Sequence, residues 1–206
     1  MFSLLLRGFA LGFAVAASPG PIFFLCFRRI LTQGRLTGLF SGLGVATADG
    51  FYAAIATFGF AALATAFVAG RRPLALIGGS LLVLLGLRIL LERRTAAPPA
   101  GAPSGRGLAW AYVSTLGLTI TNPGTIVSFA ALAATLGFGT GASFGGPALV
   151  VLGVLLGSAA WWCVLVVAAS ALRSRLTPRL IGGISAASGL AIAGLGILAV
   201  VSAFSG

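Results

Sequence analysis

Ser18-Pro19-Gly20-Pro21 interrupts an apolar run that extends from Leu4 to Phe27. Each proline removes a backbone donor and clashes with the preceding turn, so a plain spanning helix cannot pass through this stretch. The helix must break or kink there. Thr121-Asn122-Pro123-Gly124 is a second break of the same kind, inside the apolar run from Leu108 to Leu136. At membrane depth, freed carbonyls and amides are tolerated only where protein buries them or where they line a wet cavity. The two breaks are therefore expected to face each other and form a transport site. Its substrate-binding residues would be Ser18, Pro19, Gly20, Pro21, Thr121, Asn122, Pro123 and Gly124.

Composition sets the class. Of 206 residues, 59% are hydrophobic and 7% charged, and the mean hydropathy of +1.13 lies far outside the range of soluble domains. The chain reads as an all-α polytopic membrane protein. Its first apolar run is too long and too broken for a cleavable signal, so no processing is expected. A net charge of +11 would suggest nucleic acid in a soluble protein. Here the arginines stand at helix ends, where they serve orientation, and no nucleic-acid partner is expected. Histidine is absent and the acidic residues are Asp49 and Glu92, which excludes histidine relays and multi-carboxylate metal clusters within one chain. There is no nucleophile–base pairing, phosphate loop or cofactor motif. The chain is read as a carrier and not an enzyme, with no cofactor. Cys26 and Cys163 lack CxxC spacing and are read as buried apolar packing.

Six runs have the ~20 apolar residues that a spanning helix needs. They are Leu4–Phe27, ending at Arg28-Arg29; the long run Leu36–Gly70, stopped by Arg71-Arg72-Pro73; Leu74–Leu91; Leu108–Leu136; Pro147–Leu172; and Leu180–Phe204. Arg88 and Glu92 are spaced to pair on one helix face, and Trp110 and Tyr112 suit an interfacial belt. Residues 95–107, rich in Pro and Gly, form a linker between a first three-helix unit, 1–94, and a second, 108–206.

The halves look alike. Pro19-Gly20-x-Ile22 matches Pro123-Gly124-x-Ile126 at an offset of 104. Gly44-Val45 with Asp49 and Tyr52 matches Gly153-Val154 with Ser158 and Trp161 at 109, and Gly79 and Gly86 match Gly189 and Gly196 at 110. The order is kept and the offset drifts only through loops, as in a duplicated unit. Three helices per unit is odd, so the second copy enters the membrane from the opposite side. The expected fold is six transmembrane helices as two inverted three-helix repeats, with proline-broken first and fourth helices. The loops after helices one, three and five carry most of the arginines, from Arg28 to Arg35, from Arg88 to Arg106 and from Arg173 to Arg179, whereas Arg7, Arg71 and Arg72 stand on the other side. The positive-inside rule then puts both termini outside the cytoplasm.

Asp49 is the one carboxylate inside an expected span. An ionised carboxylate at such depth costs at least ~2.5 kcal/mol, so an intramembrane acid is a functional-site hypothesis. It could bind a cationic amino group or carry a proton exchanged for substrate; the alternative is a structural bond to a neighbouring hydroxyl such as Thr47. The breaks expose amides at the start of the resumed half-helices, which attract anions. Ser18, Thr121 and Asn122 add hydroxyl and amide groups. Donors for a carboxylate and one acid for an ammonium group fit a zwitterion.

These features resemble the LysE/RhtB family of amino-acid exporters: Pro19-Gly20-Pro21 in the first helix, Gly42 and Gly44 followed by Asp49 in the second, and Asn122-Pro123 in the fourth. The resemblance implies efflux of amino acids or related metabolites across the bacterial inner membrane, driven by the proton motive force, often as a homodimer. Family members commonly carry a basic residue after Asn-Pro, where this chain has Gly124. Alternative readings are an inorganic or heavy-metal cation exporter, a membrane thiol–disulfide electron carrier using Cys26 and Cys163, and a non-transporting membrane subunit.

Overall fold

The computed structural model describes residues 1–58, 69–92, 104–122, 124–129, 145–173 and 175–204. The regular structure among them is helical: α1 (Phe2–Ala16), α2 (Pro21–Gln33), α3 (Arg35–Thr57), α4 (Arg71–Glu92), α5 (Gly105–Ile120), α6 (Gly145–Arg173) and α7 (Pro178–Ser202), with a further helical stretch at 124–129. Among the described residues, α3, α4, α6 and α7 are each long and apolar enough to cross a membrane, and α1 with α2, bent by 79° at the break, forms either a fifth, broken span or a re-entrant loop. The expected fourth span includes Pro123 and residues 130–136, which lie outside the described residues, as does most of the linker.

Several boundaries differ from the sequence reading. Arg28-Arg29 does not end the first span, because α2 continues through both arginines to Gln33. Gly34 then turns the chain at φ +97°, a left-handed conformation open mainly to glycine. Within the long second run, α3 stops at Thr57, and 59–68 lie outside the described residues. Arg71-Arg72-Pro73 opens α4 instead of standing outside it. Cys26 is buried as expected, but Cys163 is exposed on α6.

Small residues set the packing. Gly8 and Gly12 of α1 are four apart, as are Gly153 and Gly157 of α6, and these faces meet. A Cβ at Gly8 or Gly12 would strike the backbone of Val150 or Val154, and one at Gly153 or Gly157 would strike the backbone around Leu5 and Phe9. With lipid outside, no hydrophobic gain drives helices together, so close backbone approach and its dispersion energy must do so. Helices α4 and α7 meet the same way, Gly79 against Gly196 and Gly86 against Gly189. Outward faces are apolar: α4 exposes Leu81, Leu84, Leu87 and Leu91 at helical spacing. In water such a stripe would drive aggregation, whereas in a bilayer it is a lipid-facing surface. The protein is therefore a multi-pass, all-helical membrane protein.

Replacing Gly12 by Leu should destabilise the α1–α6 contact by about 1–3 kcal/mol or more through overpacking. Gly182, whose Cβ position meets nothing, should tolerate the same change. Thermal melting of the two detergent-purified variants checks this: a several-degree loss for Gly12→Leu and none for Gly182→Leu.

Candidate functional site

The first break is built by its own residues. Helix α1 ends at Ala16, Gly20 is extended at φ −145°, ψ −176°, and Pro21 starts α2 at the first helical position, where a missing N–H does no harm. No side chain caps α2. Phe24 N–H reaches the Gly20 carbonyl, but the first-turn amides of Ile22 and Phe23 have no intrahelical acceptor and stand at the positive end of the helix dipole.

The second break is capped. Asn122 Oδ1 accepts from the Gly124 amide at 3.1 Å, which leaves the side-chain NH2 as its remaining polar group. The carbonyl of Ile120, freed at the end of α5, accepts from Tyr52 Oη of α3. Thr121 turns its hydroxyl back to the Gly117 carbonyl at 3.0 Å and packs against Gly78.

Asp49 is 2% exposed on α3, and its Oδ2 accepts from Ser158 Oγ of α6 at 2.7 Å. Thr47 is not its partner. That hydroxyl donates to the Leu43 carbonyl at 2.9 Å and accepts from Tyr112 Oη at 2.9 Å. Sequence reasoning had matched Ser158 to Asp49 as repeat equivalents without seeing that the two would bond.

These parts line one partly open cavity of about 450 Å³. Ser18, Pro19, Gly20, Pro21, Asp49, Asn122 and Gly124 all line it. Thr121 is not among its lining residues, and Pro123 lies outside the described residues. Thr119, Ser128 and Ser202, which the sequence reading missed, also line it. Each spends its hydroxyl hydrogen on a backbone carbonyl 2.7–2.8 Å away, Thr119 on Thr115, Ser128 on Gly124 and Ser202 on Ala199. Their oxygens remain as acceptors. The apolar wall includes Val15, Phe23, Val45, Leu82, Trp162 and Leu198. Among the described residues, Asp49 is the one ionisable side chain in the lining. The chamber thus offers acceptors to a cation at Asp49 and donors to an anion at the α2 N-terminus and Asn122.

Arg29 was also missed. It is 6% exposed and donates from Nη1 to Ser41 Oγ at 2.9 Å and the Ala111 carbonyl at 3.1 Å, and from Nη2 to Ser114 Oγ at 2.9 Å. Arg28 Nε donates to Ser185 Oγ at 2.8 Å. The signal in the sequence was Ile30-Leu31, apolar residues that carry the helix past the arginine pair.

The LysE type translocator model matches residues 13–203, almost the whole chain and both breaks. The chain belongs to the LysE type translocator family. The LysE-type chain is similar to the chemotactic transduction protein ChpE of Pseudomonas aeruginosa, 30% identical over 165 residues that cover 79% of this chain and 80% of ChpE. It is also similar to the uncharacterized membrane protein YahN of Escherichia coli K12, 31% identical over 121 residues, 54% of this chain and 51% of YahN. No solved structure matches it. Family membership makes it a multi-pass membrane protein of a bacterial transporter family.

In this translocator, Tyr52→Phe strands the Ile120 carbonyl at the break. A buried acceptor left without its donor costs about 1–3 kcal/mol. The purified variant should melt several degrees below the wild type, with an unchanged far-UV helical spectrum.

Proposed function

We propose that the chain is a secondary transporter that exports amino acids or related small zwitterions from the cytoplasm in exchange for protons. The observation that carries this reading is the shared cavity, in which Asp49 and both chain breaks meet around about 450 Å³, a volume suited to a small metabolite. A substrate ammonium would sit at Asp49 among the hydroxyl oxygens. Its carboxylate would accept from the α2 amides, Asn122 and the hydroxyl of Ser18. Gly124 adds no charge at the second break, so the site needs no ionised substrate side chain. Asp49 would hold either the ammonium or a proton, since a bare carboxylate at this depth is costly. One zwitterion leaves as one proton enters, and the carboxylate is never left unpaired.

The transport cycle uses two inverted three-helix units, 1–94 and 108–206. Reciprocal contacts support this. Gly79 meets Gly196 and Gly86 meets Gly189, which is the pattern of a two-fold relation between the matched pairs Gly79/Gly189 and Gly86/Gly196. Asp49 bonds its own repeat equivalent, Ser158, as residues on such an axis would. The packing of α1 on α6 is mirrored by that of α5 on α3, where a Cβ at Gly44 would strike the Tyr112 carbonyl. Orientation follows from the arginines: a Cβ at Gly34 would lie 3.7 Å from Arg173 Nη1, so the Gly34 turn gathers Arg28, Arg29, Arg35 and Arg173 at one end, while Arg72 stacks on Phe204 at 5.4 Å. The arginine-rich end is cytoplasmic in this reading, the membrane is the bacterial inner membrane, and both termini lie outside. The open faces of Gly182 and Gly183 leave room for a second copy in a homodimer.

Cells loaded with labelled dipeptides test the function. Wild type should release one or a few amino acids selectively, and Asp49→Asn should reduce that release at least about tenfold, because a neutral amide at this depth cannot exchange a proton for an ammonium. Release that is equal in the two strains for every amino acid would overturn the reading.

A further inference from the structure

Helix α2 is set between two glycine positions, the extended Gly20 at the break and Gly34 at φ +97°. Its first residues, Pro21 to Phe23, wall the cavity, while its last turns are tied down by two successive arginines. Arg28 reaches Ser185 of α7. Arg29 reaches Ser41 of α3 and both Ala111 and Ser114 of α5. Two neighbouring side chains thus fasten one short helix to three others.

The fastening lies on the arginine-rich side of the cavity. Along α3, Asp49 and Val45 line the chamber, Gly42 packs against the ring of Trp162, and Ser41 holds Arg29. At 1.5 Å per residue, Ser41 lies roughly 12 Å from Asp49 toward the arginine-rich end. Trp162 is both part of the cavity wall and 2% exposed, so a packed side chain stands on α3's face between the chamber and the arginine layer.

The chemistry of the fastening suits a contact that must open. Among the described residues, the acceptors of Arg29 are two hydroxyls and one carbonyl, all neutral. A guanidinium held by neutral groups regains its hydration when water reaches it, so release is far less costly than separating a buried ion pair.

We infer that Arg29, assisted by Arg28, is the positioning residue that latches α2 shut over the cytoplasmic side of the transport path. Helix α2 swings about Gly20 and Gly34 when that side opens. The inference rests on the export reading above for its direction, but its test needs no substrate.

The chain carries its own reporter. Cys26 lies on α2 three residues before Arg29 and is 0% exposed, so a thiol reagent reaches it only when α2 moves away. The full chain with Cys163→Ser, in inside-out membrane vesicles, is treated with a membrane-impermeant maleimide. Labelling of Cys26 should be slow with Arg29 in place and about tenfold faster with Arg29→Ala, the ratio expected if a closed state loses one step of its preference. Arg29→Lys, which keeps the charge without the planar fork, should fall between them. Right-side-out vesicles should show no acceleration, which separates gate opening from general unfolding. Should Arg29→Ala fail to reach the membrane, the Ser41→Ala, Ser114→Ala pair removes the acceptors instead and should give a several-fold rise. A rate unchanged by these variants, or raised equally from both faces, overturns the latch. A chain that labels as expected yet releases no amino acid would keep the latch and overturn the substrate reading.

Discussion

In hydrocarbon there is no water to satisfy a backbone amide or carbonyl, and each one left open costs several kcal/mol. That constraint governs this molecule, because Pro19-Gly20-Pro21 frees such groups between α1 and α2 and the Asn122 break frees them at the end of α5. The chain answers with local caps and with side chains from other helices. Asn122 takes the Gly124 amide, and Tyr52 reaches from α3 to the Ile120 carbonyl. The first-turn amides of α2 have no side-chain cap and belong to residues that line the chamber.

The same economy applies to charge. Asp49 and Arg29 are both nearly buried, and each is met by serine hydroxyls from a different helix. Asp49 has Ser158, and Arg29 has Ser41 and Ser114. Neutral partners satisfy hydrogen bonds without cancelling charge, so each ionisable group keeps a demand that a proton, a substrate or water can meet. Close helix packing at the glycine faces provides the rigid frame against which such small demands can matter.

Much of the fold was legible because its signals are local. Proline position, apolar run length and glycine spacing gave the broken first helix, the multi-pass class and most of the spans. The ends of helices were less legible: Arg28-Arg29 looked like a stop because charge in an apolar run usually marks an interface, and only contact with Ser41, Ala111 and Ser114 explains how α2 continues past it. Thr121 had the right chemistry and the right neighbours, yet its hydroxyl folds back on Gly117, a rotamer outcome that sequence does not carry.

By itself, the sequence determined that the chain is an all-helical membrane protein with breaks at Ser18–Pro21 and Thr121–Gly124 and a carboxylate at Asp49, because proline geometry and transfer free energy act residue by residue. Tertiary structure alone decided that both breaks and Asp49 share one cavity, that Ser158 is the partner of Asp49, and that Arg29 is buried among three helices. Those facts depend on which helix faces meet, and that is set by backbone approach at Gly8, Gly12, Gly153 and Gly157 between segments more than a hundred residues apart.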